Sequence, residues 1–276
     1  RFRWILLLTL VAGLCLATTA HAQTKTLYWE RFDVDITVLE NGDFIVREIQ
    51  AITFTSGQFQ YGYRNIPMGR LESIEDVGVW EGDRQYEQGY GGDYTYSLSV
   101  ADDDFQIEWF FPETSNSSHT FILQYTVKGG LRYYDDGDQL YWKAVYADRD
   151  FPVYESTVTV SLPEGAEAGP LAAYGTEASV GGEGSSTVAF EAQETIDPGQ
   201  EFEVRVQFPH GIVQGSKPDW QAAYDRRAAW ESGPQDIVNL GLGALGAILL
   251  VGGPLGLLLL WYLRGRDPEI SLPAEY

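Results

Sequence analysis

From Ile237 to Leu263 the chain runs for 27 residues without a charge, and Asn239 is the one strongly polar side chain in the run. A helix needs about 20 apolar residues to cross a hydrocarbon core about 30 Å thick. Inside lipid only a helix or a closed barrel satisfies its own backbone. The expectation is therefore a transmembrane helix over 237–263, with a buried core helix as the alternative. At about 1.5 Å per residue the run is about 40 Å long, which predicts tilt or a bend. Pro254, beside Gly252 and Gly253, is the natural bend site. Gly252 and Gly256 form a small-xxx-small pair suited to close helix packing. Trp261 and Tyr262 suit a membrane interface, and Arg264 and Arg266 follow as they would on a cytoplasmic side.

The N-terminus carries a second targeting signal. Arg1 and Arg3 precede the apolar segment Trp4 to Leu16, and Ala20-His21-Ala22 has the small-x-small form of a signal-peptidase site. Cleavage there leaves Gln23 first. Cys15 follows a bulky Leu14 and makes a poor lipid-attachment site. Residues 23–236 are then expected outside the membrane, with 264–276 starting a cytoplasmic segment. The absence of an initiator methionine at Arg1 leads us to expect a fragment or a processed chain.

Residues 23–236 hold 37 acidic side chains against 14 Lys and Arg, a net charge of −23. Binding to nucleic acid needs clustered cations, so it is excluded as a function class. The acidity favours solubility, divalent cations or a basic partner. The exterior part has no cysteine, so its stability must come from a core rather than disulfides. About 190 residues suffice for one.

Period-two alternation dominates from Glu30 to Phe208. Phe32, Val34, Ile36 and Val38 alternate with polar residues, Asn41-Gly42 offers a two-residue hairpin turn, and the return strand runs from Phe44 to about Phe54. Further strands are expected near 75–80, 94–100, 105–111, 120–127, 139–145 and 156–162. In the final alternating run, 201–208, Phe202, Val204, Val206 and Phe208 face one way and Glu201, Glu203 and Arg205 the other. This pattern predicts a mainly β fold, an antiparallel β-sandwich over 23–212, with a split near Phe151 as the alternative. Residues 163–200 read as a long connection or as weak edge strands around 171–174 and 187–190. Over 213–236, Pro218 opens a short juxtamembrane helix. Its Trp220 and Trp230 suit the outer leaflet, or else the helix extends the membrane span.

Few residues point to chemistry. His119 and His210 lack metal-ligand spacing, no Gly-x-Ser-x-Gly elbow is present, and both histidines are expected in solvated loops. Asp102 to Asp104, and Asp135, Asp136 and Asp138, fall where turns are expected and offer carboxylates to calcium, without matching an EF-hand loop. No other cofactor is indicated. Acids are too abundant for a glycosidase-type carboxylate pair to be diagnostic. One polar residue stands out. On the return strand Glu48 shares a register with Phe44, Val46, Ile52 and Phe54, so it points inward and needs a partner. Arg64 is the expected one, in a partly buried ion pair.

Tyr28 to Val46, Tyr61-Gly62-Tyr63-Arg64-Asn65-Ile66-Pro67, Leu140-Tyr141-Trp142, Val160-Ser161-Leu162-Pro163 and Gly265-Arg266-Asp267-Pro268 occur in that order. Together they resemble the YciQ-like predicted membrane proteins (domain of unknown function 2207). The resemblance implies a secreted N-terminal domain followed by a membrane region that usually continues through further helices. It departs at Lys143, where the family commonly has Asn. It implies architecture and no activity. Two functional classes follow: an exterior module that binds or scaffolds a protein or envelope polymer near membrane lipid, or the non-catalytic exterior part of an enzyme or transport component.

Overall fold

The computed structural model describes residues 24–231 and 235–265, and for 231, 235–245, 247 and 251 the backbone alone. The expected signal segment 1–22, Arg266 and the remainder of the cytoplasmic segment lie outside the described residues. The chain divides into two compact units, one up to Gln221 and one from Ala222.

The first unit is built of strands. β1 (Thr26–Val38) and β2 (Phe44–Ser56) form a long hairpin, followed by β3 (Phe59–Pro67), β4 (Ser73–Glu81), and the short β5 (Arg84–Gln85) and β6 (Glu87–Gln88). Next come β7 (Thr95–Ala101), β8 (Asp104–Thr114), β9 (Ser117–Lys128), β10 (Asp138–Val145), β11 (Val153–Glu155) and β12 (Thr157–Ser161). β13 (Leu171–Tyr174), β14 (Ala178–Gly181), β15 (Thr187–Ala192) and β16 (Phe202–Phe208) complete the unit.

The fold is mainly β, but the expected pair of antiparallel sheets is replaced by three sheets, two of them mixed. The long sheet runs β14-β15-β12-β1-β2-β9-β4-β5 with β11 beside β1; a four-stranded sheet runs β3-β8-β7-β6, and a three-stranded one β10-β16-β13. β1 is parallel to β11 and β12, and β6 is parallel to β7. Alternation reports which face is buried and says nothing of strand direction, which the connections decide. The long sheet lays its apolar face against both smaller sheets: Trp109 of β8 meets Phe121 of β9 with ring centroids 5.7 Å apart, and Trp142 of β10 meets Phe44 of β2 at 5.3 Å. Beyond Phe151 the chain returns to β1 through β11 and β12. Glu203, expected on the solvent face of β16, is buried, with Arg70 at 3.7 Å.

The turns also differ from expectation. Asn41-Gly42 sits in a five-residue connection, where the Leu39 N–H donates to Asp43 O and the Asn41 side chain binds Asp43. Gly42 has φ +86°, and a Cβ there would lie 2.4 Å from the Tyr133 hydroxyl. A two-residue turn instead joins β7 and β8 at Asp102 and Asp103, both with positive φ, as a type I′ hairpin requires. That local role accounts for these two acids without calcium.

Helix α1 (Asp219–Glu231) opens in the first unit, where the Trp220 indole N–H donates to Gly129 O at 2.7 Å. Gln221 is fully buried and binds both the N–H and the carbonyl of Tyr133, each at 3.0 Å. In the second unit, α2 (Gln235–Arg264) carries Pro254 within it. Among the described residues no helix is long and apolar enough to cross a membrane, and the run 237–263 is only partly described.

Candidate functional site

The strand period that turns Phe44 and Val46 into the core also turns in Glu48 and Gln50. Glu48 has no exposed surface. Its Oε1 accepts from Arg64 Nε and from the Tyr125 hydroxyl, both at 2.7 Å, and its Oε2 accepts from Gln50 Nε2 at 3.0 Å. Gln50 in turn accepts the Trp29 indole N–H at 3.0 Å. Arg64, itself buried, donates from Nη2 to Ala144 O at 3.2 Å and stacks with its Cζ 3.9 Å from the Tyr146 ring centroid. Four strands and the end of β10 are thus tied to one carboxylate. Burial opposes the charge on Arg64, but Glu48 together with Tyr146 and Tyr125 outweighs it and the guanidinium pKa is raised. Burial and then Glu48 push the Tyr125 phenol well above its usual range, and burial pushes Tyr146 up to about 12. Arg64 therefore stays charged and Tyr125 and Tyr146 stay neutral near neutrality, so these members form a fixed wall.

Against this wall lies a cavity of about 250 Å³. Its floor is aromatic, with Trp29, Phe54, Trp109 and Phe121; its sides are β3 from Phe59 to Asn65 and the segment Tyr146 to Phe151. Tyr61 and Tyr63 are half exposed. Burial, then Asp148 and Asp150, hold the Tyr63 phenol above its usual range. Arg149 is spent on the structure, donating to the carbonyls of Tyr146, Ile196, Asp197 and Gln200.

A second cluster was missed by the sequence. His119 is on β9, not in a solvated loop, and its ring lies parallel to Phe121 at 5.9 Å. Its Nδ1 faces Glu81 Oε1 at 2.5 Å, and its Nε2 faces Thr114 Oγ1 at 2.9 Å and Ser117 Oγ at 3.1 Å. Glu81 Oε2 accepts from Tyr86 at 2.8 Å. The i, i+2 spacing of Ser117 and His119 was the available signal; Glu81 reaches them only through β4–β9 pairing.

The remaining candidates scatter. Asp135 and Asp136 are exposed, whereas Asp138 is fully buried and its Oδ1 meets His210 Nδ1 at 2.8 Å. Among the described residues no three His, Cys, Asp or Glu side chains form a metal-holding group. His210 lies exposed in the turn after β16, as expected, but is paired with Asp138 there. Its pKa is raised above the ordinary 6.5 by the hydrogen bond to Asp138. The stabilisation is full below the unfolded-state pKa and is lost as pH rises through the higher folded-state value. Thermal melts of wild type and His210→Gln should therefore differ most in slope on the alkaline side of pH 6.5, where wild type alone loses this contribution. Trp230, Trp261 and Tyr262 are exposed, as is Arg264.

A mainly β domain locked by an internal ion pair, with an aromatic cavity at one sheet end, is the class this geometry defines. The chain belongs to the family described as "Predicted membrane protein (DUF2207) N-terminal domain", which matches residues 28–208. No curated protein matches it. Among solved structures, yeast LTA4 hydrolase in complex with bestatin is similar at 8% identity and a TM-score of 0.41, over 70% of this chain and 32% of that one. The M1 zinc metallopeptidase from Deinococcus radiodurans is similar at 12% identity and 0.40, over 64% of this chain and 42% of that one. The chain thus spans less than half of either protein, and neither likeness bears on function.

Proposed function

We propose that residues 23–236 form a binding module outside the membrane, carried by a transmembrane helix over 237–263 with the C-terminal residues cytoplasmic. Its ligand, a protein segment or envelope polymer, occupies the cavity beside β3. The observation that carries this reading is the cavity's construction. Its polar wall is neutralised from within by Glu48, Arg64 and Tyr125, which preorganises an aromatic floor and leaves no free acid–base pair on that wall. The uncharged run, the exposed leucines of α2 and the family's description support the membrane placement. Trp230, Trp261, Tyr262, Arg264 and Arg266 then serve the two interfaces.

The test uses the full chain in nanodiscs, titrated with envelope polymer fragments and with peptides. The paired substitution Tyr61→Ala and Tyr63→Ala, at half-exposed positions, should weaken saturable binding at least tenfold. Unchanged binding would remove the cavity from the mechanism.

A catalytic reading rests on one specific observation, the Ser117–His119–Glu81 relay, whose order is that of nucleophilic hydrolases. Thr114 competes for the same imidazole nitrogen, so the cluster equally caps the β8–β9 turn. Labelling by a fluorophosphonate that disappears in Ser117→Ala would favour the hydrolase; an unlabelled wild type leaves the cap.

A further inference from the structure

We infer that the cavity's occupant is an extended, basic polypeptide segment that adds to β3 as a fifth strand of the four-stranded sheet. The inference rests on the binding reading above and specifies its ligand.

The first observation is which residues line the cavity. A strand presenting one face contributes every second residue, yet β3 contributes an unbroken run from Phe59 to Asn65. The cavity therefore follows the strand's edge. That edge is open: β3 ends its sheet, and β8 is its one partner strand among the described residues. The other sheet ends are blunted, as natural edges usually are. β5, β6, β13 and β14 are two to four residues long, and the outer side of β10 is bridged to Arg132 at Gln139 and gives its Ala144 carbonyl to Arg64. β3, at nine residues, is left as the long unpaired edge.

The second observation is charge. Asp148 and Asp150 are exposed at the rim, and neither joins an ion pair among the described residues. The nearby cations are engaged, Arg64 by Glu48 and Arg149 by four carbonyls. Lys25 sits over the Phe59 ring, 5.1 Å from its centroid. An added strand alternates its side chains, so apolar residues would enter the aromatic floor while basic ones meet the aspartates. Main-chain hydrogen bonds would supply affinity and alternate pockets specificity.

The probe is the peptide acetyl-Lys-Val-Lys-Phe-Lys-Val-Lys-amide, measured against the full chain in phosphatidylcholine nanodiscs, with empty discs subtracted. Two further peptides carry N-methyl groups at the odd or at the even positions. Edge pairing uses alternate N–H groups, so one methylated form should lose at least tenfold in affinity and the other little. Asp148→Asn with Asp150→Asn should weaken the parent about tenfold and flatten its salt dependence. If the parent and both methylated forms bind alike, the strand inference falls while the binding reading stands. Failure of the parent peptide to bind overturns the inference as well. If polymer fragments bind and are lost with Tyr61→Ala and Tyr63→Ala while this peptide does not bind, the binding reading survives with a different ligand.

Discussion

Glu48→Ala should cost the β domain about 3–5 kcal/mol, because it strands the buried guanidinium of Arg64 without a counter-charge. The loss also takes the acceptor from the Tyr125 hydroxyl and from Gln50, and a buried donor left unpaired costs about 1–3 kcal/mol in its own right. The size of the effect measures the penalty of an orphaned charge rather than the worth of the pair. The control is therefore the joint replacement Glu48→Leu, Arg64→Met and Tyr125→Phe, which removes both charges and the phenol together. Such replacements are often neutral or stabilising, so the triple variant should melt above Glu48→Ala. What it should lose is position. Arg64 holds β3 to the carbonyl of Ala144 and to the face of Tyr146, so the cavity wall should loosen. Amide hydrogen exchange over 59–67 would show this, and a triple variant as unstable as Glu48→Ala would refute the account.

Gly62→Ala is expected to cost about 1–3 kcal/mol, the usual range for overpacking. Gly62 faces inward on β3, directly over the Trp109 ring: a Cβ there would lie 2.4 Å from Cζ2 and 2.6 Å from Cε2. Trp109 cannot easily retreat, since it is almost wholly buried against Phe121. The substitution should therefore push β3 outward or tip the indole, changing the cavity in either case. The origin of the cost is checked in a Trp109→Leu background. The smaller side chain alone creates a cavity and destabilises, but it leaves room for the new methyl, so Gly62→Ala should then cost little. Additive effects in the urea melts of the two singles and the double would show that the glycine is needed for another reason.

The structure also separates two ways in which a buried polar residue is read. The inward direction of Glu48 follows from its register with Phe44, Val46, Ile52 and Phe54 alone, because a period of two leaves no other face. Arg64 stands in the segment Tyr61 to Pro67 that the family resemblance singles out, and the structure brings the two together. Gln50 shares that register and could have been read in the same way. Tyr125 and Ala144 could not. They lie 77 and 96 residues along from Glu48, and reach the site only through β2–β9 pairing and the packing of β10. The cavity was hidden for a related reason. Its edge strand is recognisable only when all the sheet partners are known.

Turn chemistry shows the same division. Asn-Gly is the favoured pair for a two-residue hairpin, yet Gly42 spends its freedom on a longer loop that clears the Tyr133 hydroxyl, while two aspartates accept positive φ at the β7–β8 hairpin. The likewise local expectation of a solvated histidine held for His210 and failed for His119, whose partial burial depends on rings brought from β2 and β8.

By itself the sequence determined the mainly β character of residues 24–208, the uncharged run after it, and the inward face of each long strand, Glu48 included. These are properties of nearest neighbours and of side-chain period, which act along the chain. Tertiary structure alone decided that β1 pairs in parallel with a strand more than a hundred residues later. It also decided that the opposite layer splits into two sheets, and that β3 ends one of them with its edge along an aromatic cavity. Those outcomes depend on which distant surfaces meet, and a one-dimensional pattern of apolar and polar residues does not encode that choice.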